Sequence, residues 1–236
     1  MDKQIIQRLH SIQTAITSTS KYDITDPDTY HEHAVLIEDI GNIILSKEGK
    51  SFIIDQNNEM ILRFLLYYFN GSSECEKIPV CKDPSVNKNI IINGGTGTGK
   101  SIIMQIFSMY CKITENNLAF YNIDITELLN YYKTYNSINL YTFNIQSGTN
   151  YENTPFSYCL NDIGVDLINQ KSYGTNVKLI IDEWLQSRYA IWQKYNRRYF
   201  ITTNLTMKDI EKEFDFRLNN RFKAFNIIPM IGESRR

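Results

Sequence analysis

No run of apolar residues in this 236-residue chain is long enough to span a bilayer, and residues 1–20 carry no apolar signal-peptide core. A membrane-embedded or exported protein is therefore not expected, and the reading is cytoplasmic. Cysteine is sparse: Cys75, Cys81, Cys111 and Cys159. Their spacing fits no zinc pattern, and in a reducing compartment they stay as thiols. Charge of one sign is also lacking, since 25 basic residues face 26 acidic ones for a net charge of −1. Nothing global steers the chain to nucleic acid, so any such contact must come from a local patch. His31-Glu32-His33 has no third ligand, and residues two apart do not share a helix face, so it reads as solvated helix surface.

What is present is the balance of an ordinary globule, 42% hydrophobic and 22% charged. The first stretch reads as helical. One helix is expected over residues 3–17 and a second over 29–45, after a loop closed by Asp26-Pro27-Asp28. A third, capped by Asn57 and Asn58, should end at Asn70-Gly71. Residues 51–54 read as a short strand, and residues 71–87 as a linker. The expected organisation is a helical module over residues 1–80 and a second domain over 81–236. That second part alternates strands (90–92, 118–121, 156–160, 199–202, 227–231) with helices (101–111, 125–135, 206–214). This pattern predicts an α/β fold with a parallel sheet flanked by helices.

Gly94-Gly95-Thr96-Gly97-Thr98-Gly99-Lys100-Ser101 matches the phosphate-binding loop pattern in full, between an apolar strand and an amphipathic helix. Glycines permit positive φ and close approach, successive N–H groups form an anion nest, and the helix N-terminus adds its dipole. ATP is the expected ligand. Lys100 is assigned to the β- and γ-phosphates and Ser101 to Mg²⁺.

Such a site needs an acid at the end of a neighbouring strand. Asp182-Glu183 ends an apolar run, Val177 to Ile181, that looks like a strand. Extended, however, the run has Val177, Ile180, Ile181, Trp184, Leu185, Ile191, Trp192 and Tyr195 on one helical stripe. The alternative is Asn161-Asp162, and the reading favours Asp162.

The loop, Asn161-Asp162-Ile163-Gly164, Ser187-Arg188-Tyr189, Thr202-Thr203-Asn204-Leu205, Arg217 to Phe222 and Gly232-Glu233-Ser234-Arg235-Arg236 occur in the order seen in DnaC/IstB-like AAA+ ATPases. The resemblance covers residues 88–236. It implies an AAA+ P-loop fold without a C-terminal lid, since the chain stops after the last motif. Asp162 would orient the attacking water, and Asn161 would stand at the Mg²⁺-side position with its charge lost. Asn204 would be the first phosphate sensor, Arg217 or Arg221 the arginine finger given to a neighbouring subunit, and Arg236 a second sensor or merely a terminal charge. A ring or helical homo-oligomer follows from that resemblance. The implied partners are a replicative helicase or, in the IstB-like alternative, a transposase, together with single- or double-stranded DNA. A third reading is nucleotide-gated binding with negligible turnover. Two basic-aromatic stretches are candidate DNA contacts: Arg188, Lys194, Arg197 and Arg198 with Tyr189, Trp192, Tyr195 and Tyr199, and Tyr131, Tyr132, Lys133, Tyr135 and Tyr141.

Overall fold

The computed structural model describes residues 22–145, 154–164, 171–172, 175–213 and 221–235. The helix expected over 3–17, Arg217 and Arg236 lie outside them. The chain divides into two compact units, one containing residues up to 87 with 101–119, the other containing 88–100 with everything from 120 onward.

The first unit is helical. Helix α1 (Pro27–Ser46) starts earlier than the sequence suggests, because Asp26 is its N-cap and Pro27 occupies the first turn. The Asp26 carboxylate accepts from the Thr29 amide at 2.9 Å. Leu36, Ile37, Ile40 and Ile43 are buried at helical spacing. Helix α2 (Glu59–Phe69) follows and ends at Asn70, with Gly71 at φ +68°. Two expectations fail before it. Residues 51–54 form no strand. Phe52 N–H donates to the Asn42 side chain and the Ile53 carbonyl accepts from the Asn58 side chain, so their backbone groups find partners other than a second strand. Asn58 does not cap α2 through its side chain, since it is committed to that same turn.

Helix α3 (Lys100–Ile113) contributes its residues from Ser101 onward to this unit. Phe69 stacks on Phe107 with centroids 5.2 Å apart. His33 is buried, correcting its expected solvation, while His31 is exposed. Its Nδ1 lies 2.6 Å from the Tyr110 hydroxyl, whose oxygen accepts from the Asn70 amide at 2.7 Å. The Tyr110 proton is thus available to the neutral imidazole, and burial pushes the His33 pKa down to about 4. A folded-state pKa below the unfolded value means the unfolded chain binds the proton first as pH falls. The contribution of neutral His33 is therefore complete above about pH 6.5 and lost as pH drops through 4. The melting temperature should fall between pH 7 and pH 4 more steeply in the native protein than in His33→Gln, as thermal scans across that range would register. Equal slopes would dismiss the buried neutral imidazole.

The second unit is built on a five-stranded, all-parallel sheet in the order β2-β3-β6-β1-β7. The strands are β1 (Asn89–Asn93), β2 (Phe120–Asp124), β3 (Ser157–Ile163), β6 (Phe200–Thr203) and β7 (Phe225–Pro229). A two-stranded ribbon, β4 (Lys171–Ser172) with β5 (Thr175–Asn176), precedes helix α5. Ile90, Ile91 and Ile92 are fully buried, as a central parallel strand requires. Helices α4 (Ile125–Tyr135) and α5 (Val177–Tyr195) pack Leu128, Ile180, Ile181, Trp184 and Leu185 into the same core as Ile91, Leu160 and Ile201. Helix α6 (Met207–Glu213) opens on the expected capping box. The Asp209 carboxylate accepts from the Thr206 amide, and the Thr206 hydroxyl accepts from the Asp209 amide. The 177–195 segment is a single helix, so Asp182 and Glu183 sit within it and end no strand.

Candidate functional site

The chain reverses direction across the sheet at β1. From there it runs to β2 at one edge, and later it passes from β6 over β1 to β7 at the other. The carboxyl end of β1 is thus a switch point, the place where open α/β sheets bind ligands. Asn93 pairs with Thr203 on one side and Pro229 on the other. Gly94, Asn204 and Met230 therefore leave the sheet side by side.

The phosphate-binding loop starts there. Gly97 (φ +82°) and Gly99 (φ +103°) take the left-handed conformation that the motif predicts. Gly94 is needed for a different reason: a Cβ on it would lie 2.1 Å from the Met230 carbonyl oxygen. The loop is tied internally. Lys100, 5% exposed, donates from Nζ to the Gly94 carbonyl at 2.8 Å and the Gly95 carbonyl at 2.7 Å. The Thr98 hydroxyl donates to the Gly95 carbonyl at 3.0 Å. Gly95 and Thr96 are exposed at the tip, and Ser101 follows Lys100 in the first turn of α3.

The acidic position is shaped by a bulge. Between Leu160 and Ile163 the β3–β6 register slips, so that Asn161 and Asp162 both face the single residue Thr202. Asp162 adopts φ +61° and its side chain is exposed. Its N–H donates to Thr202 Oγ1 at 3.0 Å, and that hydroxyl donates to Asn161 Oδ1 at 3.1 Å. Asn161 is fully buried, and its Nδ2 donates to Asn122 Oδ1 at 3.1 Å. An aspartate there would be a buried carboxylate facing another oxygen, whereas an amide supplies the donor. Asn204 stands at the end of β6, and a Cβ on Gly164 would be 3.4 Å from its Oδ1. The bulge thus gathers Asn161, Asp162, Gly164 and Asn204 at one corner.

Asp124, at the end of β2, is a member of this corner that the sequence reading missed. Its Cα is the register partner of Asn161. Burial raises the Asp124 pKa, and the neighbouring Asp162 charge raises it further. The signal is a strand-end acid just before a helix, but the sequence pattern ends the strand at 121, whereas it runs over Phe120–Asp124. Among the described residues no group of three or more acidic, histidine or cysteine side chains could hold a metal alone.

Arg221 lies with its guanidinium 4.8 Å above the Tyr189 ring of α5, its Nη1 buried without a hydrogen-bond partner. The first DNA-contact stretch fails in part, because Arg188, Arg198 and Tyr199 are buried. In the second, Tyr141 is buried and Tyr131 packs against it at 5.2 Å, while Tyr135 is exposed.

No protein-family profile matches the chain, and no curated protein matches it by sequence. Among solved structures it is similar to the DnaC helicase loader, with 13% identity, a TM-score of 0.51, and coverage of 76% of this chain and 93% of that one. It is also similar to a proposed primosome component from Streptococcus pyogenes serotype M3, with 16% identity, a TM-score of 0.50, and coverage of 78% and 85%. With its strand order, its loop at the switch point and these likenesses, the chain has an α/β P-loop fold of the AAA+ type, similar to that of the DnaC helicase loader.

Proposed function

We propose that the protein is a cytoplasmic ATP-binding AAA+ ATPase of DNA replication. It acts as a DnaC-like helicase loader and works as a ring or helical homo-oligomer on DNA. The observation that carries this is the pairing of a buried Lys100 loop at the end of β1 with a bulge in β3 that exposes Asp162. The loop N–H groups and Lys100 would hold the phosphates, while Ser101 and Asp162 would flank Mg²⁺. Bound Mg²⁺ supplies charge neutralisation on the β- and γ-phosphates. Asp162 would orient the attacking water. Asn161 would keep Asp162 in place through Thr202, and Asn204 would contact water or the terminal phosphate. Arg217 or Arg221 would complete the pocket of a neighbouring copy. The buried, neutral Asn161 favours a second reading, in which nucleotide occupancy switches a partner with negligible turnover.

Steady-state phosphate release separates the two. Asp162→Asn should lower kcat about a hundredfold while leaving ATP affinity within about threefold, since it removes a water-positioning group rather than a phosphate ligand. Tight ATP binding with no turnover in the native protein would leave only the switch. The loader reading is tested by adding the host's replicative helicase and a single-stranded DNA circle. ATP-dependent deposition of the helicase is expected, and its failure under conditions where ATP binds would refute loading.

A further inference from the structure

The resemblance implies an acid at position 161, on the metal side of the site, and this chain has an amide there. That amide is already spent inside the sheet. Asn161 is 0% exposed. Its Nδ2 donates to Asn122 Oδ1 at 3.1 Å. Its Oδ1 accepts from the Thr202 hydroxyl at 3.1 Å and from the Cys159 thiol at 3.5 Å, which takes both lone pairs. Asn161 therefore holds the bulge together and has no atom left for an ion.

The carboxylate beside it is Asp124. The two Cα atoms are register partners across β2 and β3, so their side chains share one face of the sheet. Asn122, two residues earlier on that face, is the residue that meets Asn161. Asp124 lies one pleat further toward the carboxyl end of the parallel sheet, the end from which the phosphate-binding loop leaves β1, and there it is exposed. The ordinary use of an aspartate in this place is to cap a helix. Asp124 is the N-cap residue of α4, yet its side chain makes no capping hydrogen bond. Among the described residues no cation bridges it. What it does sense is Asp162, whose charge acts on it. Two carboxylates held together without a counter-ion repel each other, and a divalent cation turns that repulsion into attraction.

We propose that Asp124, together with Asp162, supplies the negative charge on the metal side of the nucleotide site, in the role that Asn161 has left. This rests on the reading of the loop as a nucleotide site. The ligand class is the Mg²⁺ complex of a nucleoside triphosphate. Mg²⁺ keeps several waters and is bound through one or two carboxylates plus phosphate oxygens, which two exposed carboxylates at one corner can serve. The acid has moved one strand outward, from β3 to β2, and stays at the same end of the sheet.

The test is calorimetric titration of the full chain with β,γ-methylene-ATP, once with Mg²⁺ and once with EDTA. The readout is the ratio of the two Kd values, without metal over with metal, and it needs no turnover. The variants are Asp124→Asn, Glu127→Gln and Asp124→Asn combined with Asn161→Asp, each verified as folded by thermal unfolding. Asp124→Asn keeps the shape and removes the charge. Its Kd with Mg²⁺ should rise, while its Kd in EDTA should hold or fall, because the lost carboxylate repels bare phosphates. The ratio should therefore drop about fivefold or more. Glu127→Gln, which removes an exposed charge from the first turn of α4, should keep the native ratio. A merely structural Asp124 would weaken both titrations alike, and an unchanged ratio overturns the proposal. So does a ratio restored by Asn161→Asp in the Asp124→Asn background, which would return the role to position 161. Native protein that binds the analogue equally well with and without Mg²⁺ would also overturn it and leave the nucleotide site standing. No binding under either condition would refute the nucleotide reading itself.

Discussion

Lys100→Ala should weaken ATP binding by about a hundredfold or more while costing the fold only about 1–2 kcal/mol. The two effects have separate origins. In the loop the ammonium is nearly sealed from solvent and donates to the Gly94 and Gly95 carbonyls. Its removal leaves the Gly95 carbonyl with the Thr98 hydroxyl still in place, so only one strong partner is lost there. The binding loss is larger because a charge-assisted contact to a multiply charged phosphate chain has no substitute when the lysine is gone. Titration calorimetry with ATP and a thermal scan without it would measure both. ATP affinity unchanged in Lys100→Ala would mean the loop does not hold phosphate, and the functional reading would collapse with it.

Arg188→Met should destabilise the protein by about 2–5 kcal/mol, a drop of roughly 5–15 °C in melting temperature for a chain of this size. Arg188 on α5 is completely buried. Its Nη1 donates to the Thr142 carbonyl at 3.1 Å and its Nη2 to the Phe156 carbonyl at 2.7 Å, with the guanidinium 5.3 Å above the Tyr158 ring. Among the described residues no carboxylate bridges it. Burial lowers its pKa to about 10, so it remains a cation at neutral pH. Methionine restores apolar packing but strands the buried Thr142 carbonyl, at a cost of about 1–3 kcal/mol, and leaves the part-buried Phe156 carbonyl without its charged donor, at a smaller cost. Lysine carries the charge but not the fork that reaches both carbonyls. A methionine variant as stable as the native protein would show that the two carbonyls find other partners. The result also bears on function, because a buried Arg188 cannot serve the DNA contact that its basic-aromatic neighbourhood suggests.

Several features were legible because they depend on residues close in sequence. The phosphate loop is one, since its glycines, lysine and following helix lie within a few residues of each other. The helix over 177–195 is another: its 3.6-residue stripe outweighed the apparent strand ending at Asp182. The Thr206–Asp209 capping box is a third. What misled were short apolar stretches. Residues 51–54 look like a strand, but among the described residues no strand pairs with them. Asn42 and Asn58 take the backbone groups of Phe52 and Ile53 instead.

That a phosphate-binding motif joins a buried strand to a helix, and that strands and helices alternate around it, can be read from the order of residues alone. Those properties follow from backbone conformation and hydrophobic period, which neighbouring residues set. Which groups meet at that loop depends instead on how distant segments pack. The bulge that exposes Asp162 depends on Thr202, forty positions away. Asp124 joins the site because β2 pairs with β3, and Met230 and Arg235 reach the loop because β7 lies beside β1. Parallel pairing brings together segments that no local pattern links, since strand order is fixed by the packing of the whole sheet and not by any one strand.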